Sequence, residues 1–115
     1  MRHFAGHILG VDQGTLVLFS DFEDGGEMWS GDGPREVRRR VDFDDAFRNP
    51  PAVQVSLTMW DMHHATNARI DLQAETVEAT GFTLVCRTWG DSRIARVRAD
   101  WLALGEVWAE GDWRL

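Results

Sequence analysis

Residues 67–101 read NARIDLQAETVEATGFTLVCRTWGDSRIARVRADW, and this stretch decides the fold class. From Asn67 to Ala74 the side chains alternate. Ile70, Leu72 and Ala74 fall on one face and Arg69, Asp71 and Gln73 on the other, the period of two that marks a half-buried strand. Arg69 is therefore expected on the polar face of a strand. Glu75 to Gly81 reads as a turn. Phe82, Leu84 and Cys86 form a second apolar row, which breaks at Thr88-Trp89-Gly90-Asp91, where a large aromatic meets a glycine and a turn-forming aspartate. Trp89 is expected at a strand end or in a loop. Alternation resumes from Ile94 to Trp101, so the segment reads as three successive antiparallel strands.

Working outward, Gly10 and Gly14 bracket Val11-Asp12-Gln13 as a turn, and Thr15 to Phe19 is β-rich enough for a first strand. Asp21 to Gly33 is acidic and glycine-rich and reads as a long ordered loop, the kind that often carries function. Arg35 to Phe43 is expected as a strand with Val37, Val41 and Phe43 inward. Arg38-Arg39-Arg40 cannot share one face of a strand, so a solvated or interface strand is expected there. Phe47 to Pro51 is a loop stopped by two prolines. Ala52 to Met59 follows as a strand with Val53, Val55, Leu57 and Met59 in one row, then Asp61 to Thr66 as a loop. Leu102 to Leu115 is expected as a final edge segment carrying Trp108 and Trp113. The sum is one all-β domain over residues 1–115, an antiparallel β-sandwich of about six strands.

Composition narrows the function. A length of 115 residues suits one core, and a formal charge of −7 argues against a nucleic-acid surface and against anionic membranes. No apolar run approaches the roughly 20 residues of a bilayer span, and Met1 to His7 lacks the core of a signal peptide, so no secretion address is expected and the compartment stays open. All 12 basic residues are arginine, which removes lysine chemistry such as a Schiff base or a phosphate-binding loop. Cys86 is the one cysteine, so no intrachain disulfide can form; its place beside Leu84 in the alternation suggests a small core residue, with an interchain bridge or a reactive thiol as alternatives.

Several constellations are weak. His63 and His64 beside Asp61 suggest a metal, but adjacent side chains in an extended segment point apart and no third ligand sits at the right spacing. Glu23 and Asp24 lack calcium-loop spacing, and no glycine-flanked nucleophile is present. Neither metal, cofactor nor catalytic residue is expected. Sugar recognition asks for other parts: a carboxylate to accept from hydroxyls, a guanidinium to donate in a fixed fork, and an indole to cover the apolar C–H face of the ring. Asp32, Arg69 and Trp89 can supply these roles. Each also has a plainer reading, as a turn aspartate, a solvated strand residue and a half-packed aromatic.

An ordered series over roughly residues 10–105 resembles the H-type lectins, the family of snail agglutinins and the discoidin C-terminal domain. It comprises Met28 to Val37, Val41-Asp42-Phe43, Pro50-Pro51, Val53 to Leu57, Trp60-Asp61, Asn67-Ala68-Arg69, Thr80-Gly81-Phe82, Arg87 to Ser92 and Trp101. The resemblance implies a homotrimer, or a hexamer built from it, that binds galactose- or N-acetylgalactosamine-type glycans at the seams between protomers. Ser30, Gly31 and Asp32 would come from one protomer, and Arg69, Trp89 and Gly90 from the next. Two positions depart from the pattern: Gly90 stands where some members have a side chain that touches the sugar, and Ala95 where others have an aromatic. Both imply a wider or shallower pocket, for which Asp91 is a candidate second acceptor. Exposed faces rich in Arg and Val over residues 35–41 and 93–99 are the expected contact across a threefold axis. The rival expectation is a structural or assembly module of a larger particle, with the sandwich kept and the pocket vestigial.

Overall fold

In a computed structural model, which describes residues 1–6 and 8–109, the chain forms six strands. They are β1 (Leu9–Ser20), β2 (Arg35–Asp42), β3 (Ala52–Met62), β4 (Asp71–Glu78), β5 (Gly81–Thr88) and β6 (Ile94–Glu106). Two single-turn helices, α1 (Asp21–Asp24) and α2 (Glu27–Ser30), interrupt the stretch expected to be a loop. All pairings are antiparallel, in two sheets of order β1-β6-β3 and β2-β5-β4. The all-β antiparallel expectation is met. Trp113, placed in the expected edge segment, lies outside the described residues.

Four local expectations need correction. First, β1 runs straight through Gly10 and Gly14 rather than turning there: Gly14 lies opposite Trp101, and a β-carbon on it would come within 2.8 Å of the indole Nε1. The glycine makes room for an aromatic on the neighbouring strand. Second, β4 starts at Asp71 and continues to Glu78, so the turn shrinks to Ala79-Thr80; a register slip between Glu75 and Glu78, with Thr76 at φ 50°, marks a bulge where a turn was expected. Third, β6 is not the neighbour of β5. It crosses to the other sheet and lies between β1 and β3. Fourth, residues 102–106 are the end of this central strand and not an edge. Leu102 and Leu104 on one face and Ala103 and Gly105 on the other blur the alternation, because the outward row is also apolar.

The core lies between the sheets. Leu18 and Phe19, Val41, Phe82, Leu84 and Cys86, and Val97, Ala99 and Ala103 are buried, the larger of these side chains contributing about 1.5–3 kcal/mol each. Burial pushes the Cys86 thiol up to about 12, as fits a core residue rather than a reactive one. Rings of Phe43 and Phe82 pack on Trp101 at 5.8 and 5.6 Å between centroids.

The two outer faces differ. On the β2-β5-β4 face, Arg38 bonds Glu36 and Glu75, Arg40 bonds Asp42 and Glu78, and Arg87 bonds Glu75. Individually such exposed pairs contribute little, about 0–1 kcal/mol. Together they roof Val85, which is fully buried between Arg38 and Gln73 in register. The two faces expected to be rich in Arg and Val, over residues 35–41 at β2 and 93–99 at β6, lie in different sheets and expose no valine of their own: Val41 and Val97 are in the core and Val37 packs against it, because they hold the inward parity of their strands. The β1-β6-β3 face instead carries Leu9, Val11, Val17 and Leu102 outward. In register across it, Val11, Leu104 and Ala52 form one apolar row.

Candidate carbohydrate site

Segments 21–34, 63–70 and 89–93 connect strands at the same end of the sandwich, as the registers Ser20 with Arg96, Arg35 with Thr88 and Met62 with Ile94 require. At this end small hydroxyls stitch two loops together. Thr88 Oγ1 donates to the Arg69 carbonyl at 2.6 Å, and Ser92 Oγ accepts from the Arg69 amide at 3.0 Å while donating to the Asn67 carbonyl. Both hydroxyl residues are buried. Arg69 is consequently not a strand residue: its backbone groups are taken by side chains instead of a ladder partner, and β4 begins two positions later.

That arrangement fixes the guanidinium. Arg69 Nη1 lies 2.6 Å from Asp91 Oδ1, and Asn67 Nδ2 donates to the same oxygen at 3.2 Å. The Asn67 hydrogen bond first, and then that from Arg69, hold the Asp91 carboxyl below the usual aspartate range. Asp91, expected as a second acceptor for a ligand, is thus the anchor of Arg69. Gly90 sits in the left-handed region at φ 67°, and a β-carbon on it would approach Arg69 Nη1 to 3.1 Å. The missing side chain gives the guanidinium its place over the loop. Trp89 follows the last residue of β5 and is 45% exposed, the strand-end position the broken alternation implies.

The loop carrying Asp32 meets this group within the same chain. Gly33 donates its amide to the Gly90 carbonyl at 3.0 Å, so exposed Asp32 adjoins the Gly90 turn. Ser30 is further from it in role: its hydroxyl donates to the Gly25 and Gly26 carbonyls at 2.8 and 2.9 Å. Gly31 donates to the Glu27 carbonyl and closes α2. The structure therefore gathers Arg69, Gly90, Asp91 and the Asp32 loop, with Trp89 in sequence beside them. A groove of about 540 Å³ is lined by Trp89 with Glu27, Pro34, Arg35, Glu36, Asp71 and Arg87, while Arg69, Asp91 and Asp32 do not line it. Ala95 is 6% exposed, a core residue rather than a pocket wall.

The histidines behave differently from expectation. His63 and His64 do not point apart; their rings stack at 5.0 Å, because the chain leaves β3 at Met62 and turns, with the Ala65 amide on His63 Nδ1. Trp29 packs on His63 at 5.6 Å and Phe22 on Trp29 at 4.9 Å. No group of three or more His, Cys, Asp or Glu suited to a metal occurs among the described residues. Asn67, Thr88, Ser92 and above all Arg35 were missed as organisers of this end. Polar residues closing an apolar run gave a faint signal for the first three; Arg35 gave none beyond its place after Gly33-Pro34.

With this geometry, the sequence model of the H-type lectin domain matches residues 38–104. The chain belongs to the H-type lectin domain family. Arg69, Trp89, Gly90 and Asp91 fall within the matched span of this H-type lectin domain, and Ser30, Gly31 and Asp32 precede it. It is 56% identical over 110 residues to the protein called ATP synthase subunits region ORF 7 of Fuscovulum blasticum, covering 96% of each chain. A discoidin-1 polypeptide of Dictyostelium discoideum is 35% identical over 75 residues, which are 64% of this domain and 30% of that protein. The solved structure of recombinant discoidin II of the same organism superposes with a TM-score of 0.76 at 23% identity, over 91% of this chain and 40% of that one. The domain thus spans well under half of the discoidins it matches and shares their fold, that of a carbohydrate-binding lectin.

Proposed function

We propose that this H-type lectin domain, acting as one unit over residues 1–115, binds galactose- or N-acetylgalactosamine-type glycans without chemistry. The observation that carries the reading is the Arg69–Asp91 pair, held at 2.6 Å, with the exposed Trp89 two positions before Asp91 in the same connection. A guanidinium already fixed in orientation loses little freedom when it donates to adjacent sugar hydroxyls, and the indole offers a flat apolar surface for the C–H face. Asp32 supplies the acceptor; Gly90 gives the Arg69 guanidinium its place at the site, Gly31 lets the Asp32 loop close on α2, and Ser30 borders the loop. Asp91 keeps part of its carboxylate exposed and can accept at the pocket rim.

A lone sugar site of this size binds near the millimolar range, about 4 kcal/mol, so clustering is needed for useful affinity. We propose a homotrimer with the sites at its seams, Ser30, Gly31 and Asp32 of one protomer facing Arg69, Trp89 and Gly90 of the next. Support for assembly comes from the outward apolar row of Val11, Leu104 and Ala52 with Leu9 and Leu102 beside it, a surface that favours burial. Light scattering should return about three times the chain mass. Calorimetric titration with galactose and N-acetylgalactosamine tests the ligand. Saturable binding by either sugar is expected; a trimer that binds neither would make this an assembly module with a vestigial pocket.

A further inference from the structure

Arg35 is only 5% exposed, yet no carboxylate pairs with it among the described residues. Its guanidinium is spent on main-chain carbonyls. Nε donates to Gly33 at 2.8 Å, Nη1 to Glu27 and Met28 at 3.3 Å each, and Nη2 to Gly90 at 3.1 Å. A buried cation without a counter-ion is costly, and it persists where oriented dipoles replace the anion. Glu27 and Met28 supply carbonyls from α2; that of Glu27 also accepts from the Gly31 amide that closes the helix. Gly33 and Gly90 supply the others from the two loops that flank the candidate pocket, and Gly33 and Gly90 are also bonded to each other.

All four accepting carbonyls come from the segments around Asp32 and the Gly90 turn. We infer that Arg35 is the positioning residue of the carbohydrate site: its planar fork sets the Asp32 loop against the Gly90–Asp91 turn, and so fixes how each protomer presents its Asp32 to one seam and its Arg69 to the other. Arg69 lies over Gly90 while Arg35 holds its carbonyl, so one glycine carries the register of both arginines. Lysine keeps the charge but, as a point donor, cannot span carbonyls from three segments at once. The role rests on the sugar-binding reading of this end of the sandwich, and a separate readout is needed for each.

The test compares Arg35→Lys with Phe47→Leu, a core change at the opposite end of the sandwich. Both are titrated with N-acetylgalactosamine well below their melting temperatures, and backbone amide exchange is followed by NMR. Expected for R35K is affinity weaker by about tenfold or more, the scale of lost charge-assisted hydrogen bonds, with faster exchange at the Gly33 amide and parent-like exchange in β5 and β6. F47L should keep the parent's affinity and Gly33 protection even where it melts lower. Parent-like affinity in R35K, unchanged Gly33 exchange, or an equal loss in F47L would overturn the role. Should R35K not fold, Arg35→Gln takes its place, and failure of both to fold makes Arg35 a folding residue and ends the proposal. If the parent protein binds no sugar, the carbohydrate reading fails by itself, and Gly33 exchange alone decides whether Arg35 holds the loops.

Discussion

Trp101 and Trp89 are the same residue type in opposite settings. Trp101 continues the inward row of Val97, Ala99 and Ala103 on β6 and packs against Phe43 and Phe82, with Gly14 leaving it space. Trp89 follows the point where β5 stops, with its flank at 45% exposure and polar loops around it. An indole that obeys strand parity is consumed by packing, whereas one displaced from it keeps part of its apolar face exposed. Aromatic content alone says nothing about function; its phase against the strand period does.

The contrast can be broken most forcefully at Trp101. Trp101→Ala should cost about 3 kcal/mol of unfolding free energy in a denaturant titration, the usual scale for removing a packed aromatic. A loss under about 1 kcal/mol would mean that the inward row does not hold the core. Trp89→Ala should do the opposite: sugar binding disappears from calorimetry while stability stays within about 0.5 kcal/mol of the parent. Marked destabilisation would make Trp89 a packing residue and move the aromatic platform elsewhere.

Smaller effects sharpen the polar side of the comparison. Arg69→Ala and Asp32→Ala should each weaken sugar binding by about 1.5–3 kcal/mol. If the site is shared between protomers, co-refolded mixtures of the two variants regain part of the binding; mixed trimers that stay silent would put the whole site on one chain. The gentlest probe is acid. Because the folded Asp91 carboxyl is held below its ordinary value of 3.8, its grip on Arg69 is in place above that value and is lost as pH falls through the lower folded one. Binding should therefore be level from about pH 5 to pH 8 and fall only below 3.8. A midpoint near pH 6 would assign control to another group.

Much of the fold was legible because inward rows such as Phe82-Leu84-Cys86 and Val53-Val55-Leu57 alternate cleanly. The failures share a cause. Gly10 and Gly14 look like turn residues to local reading, but Gly14 answers to an aromatic on a strand more than eighty positions away in sequence. The placement of β6 between β1 and β3 is likewise a long-range matter, and the outward leucines of its second half hid its parity. At the strand ends, the position of Trp89 was readable from the broken alternation, whereas Arg69, expected on the polar face of a strand, lies in the connection before β4. Arg35 was not readable, since its role lies in carbonyls of three separated segments, which no spacing in the sequence encodes. The stacking of His63 on His64 escapes local reading too, because it depends on the turn the chain makes as it leaves β3.

The most direct test of the carbohydrate reading is a crystal of the parent protein soaked with N-acetylgalactosamine. Expected is one sugar per chain with its C–H face on the Trp89 indole, hydroxyls on the Arg69 guanidinium, and an Asp32 carboxylate contributed by the neighbouring protomer of a threefold assembly. Clear crystals of a trimer with no sugar at Trp89 under saturating soak, or sugar bound on another face, would contradict it.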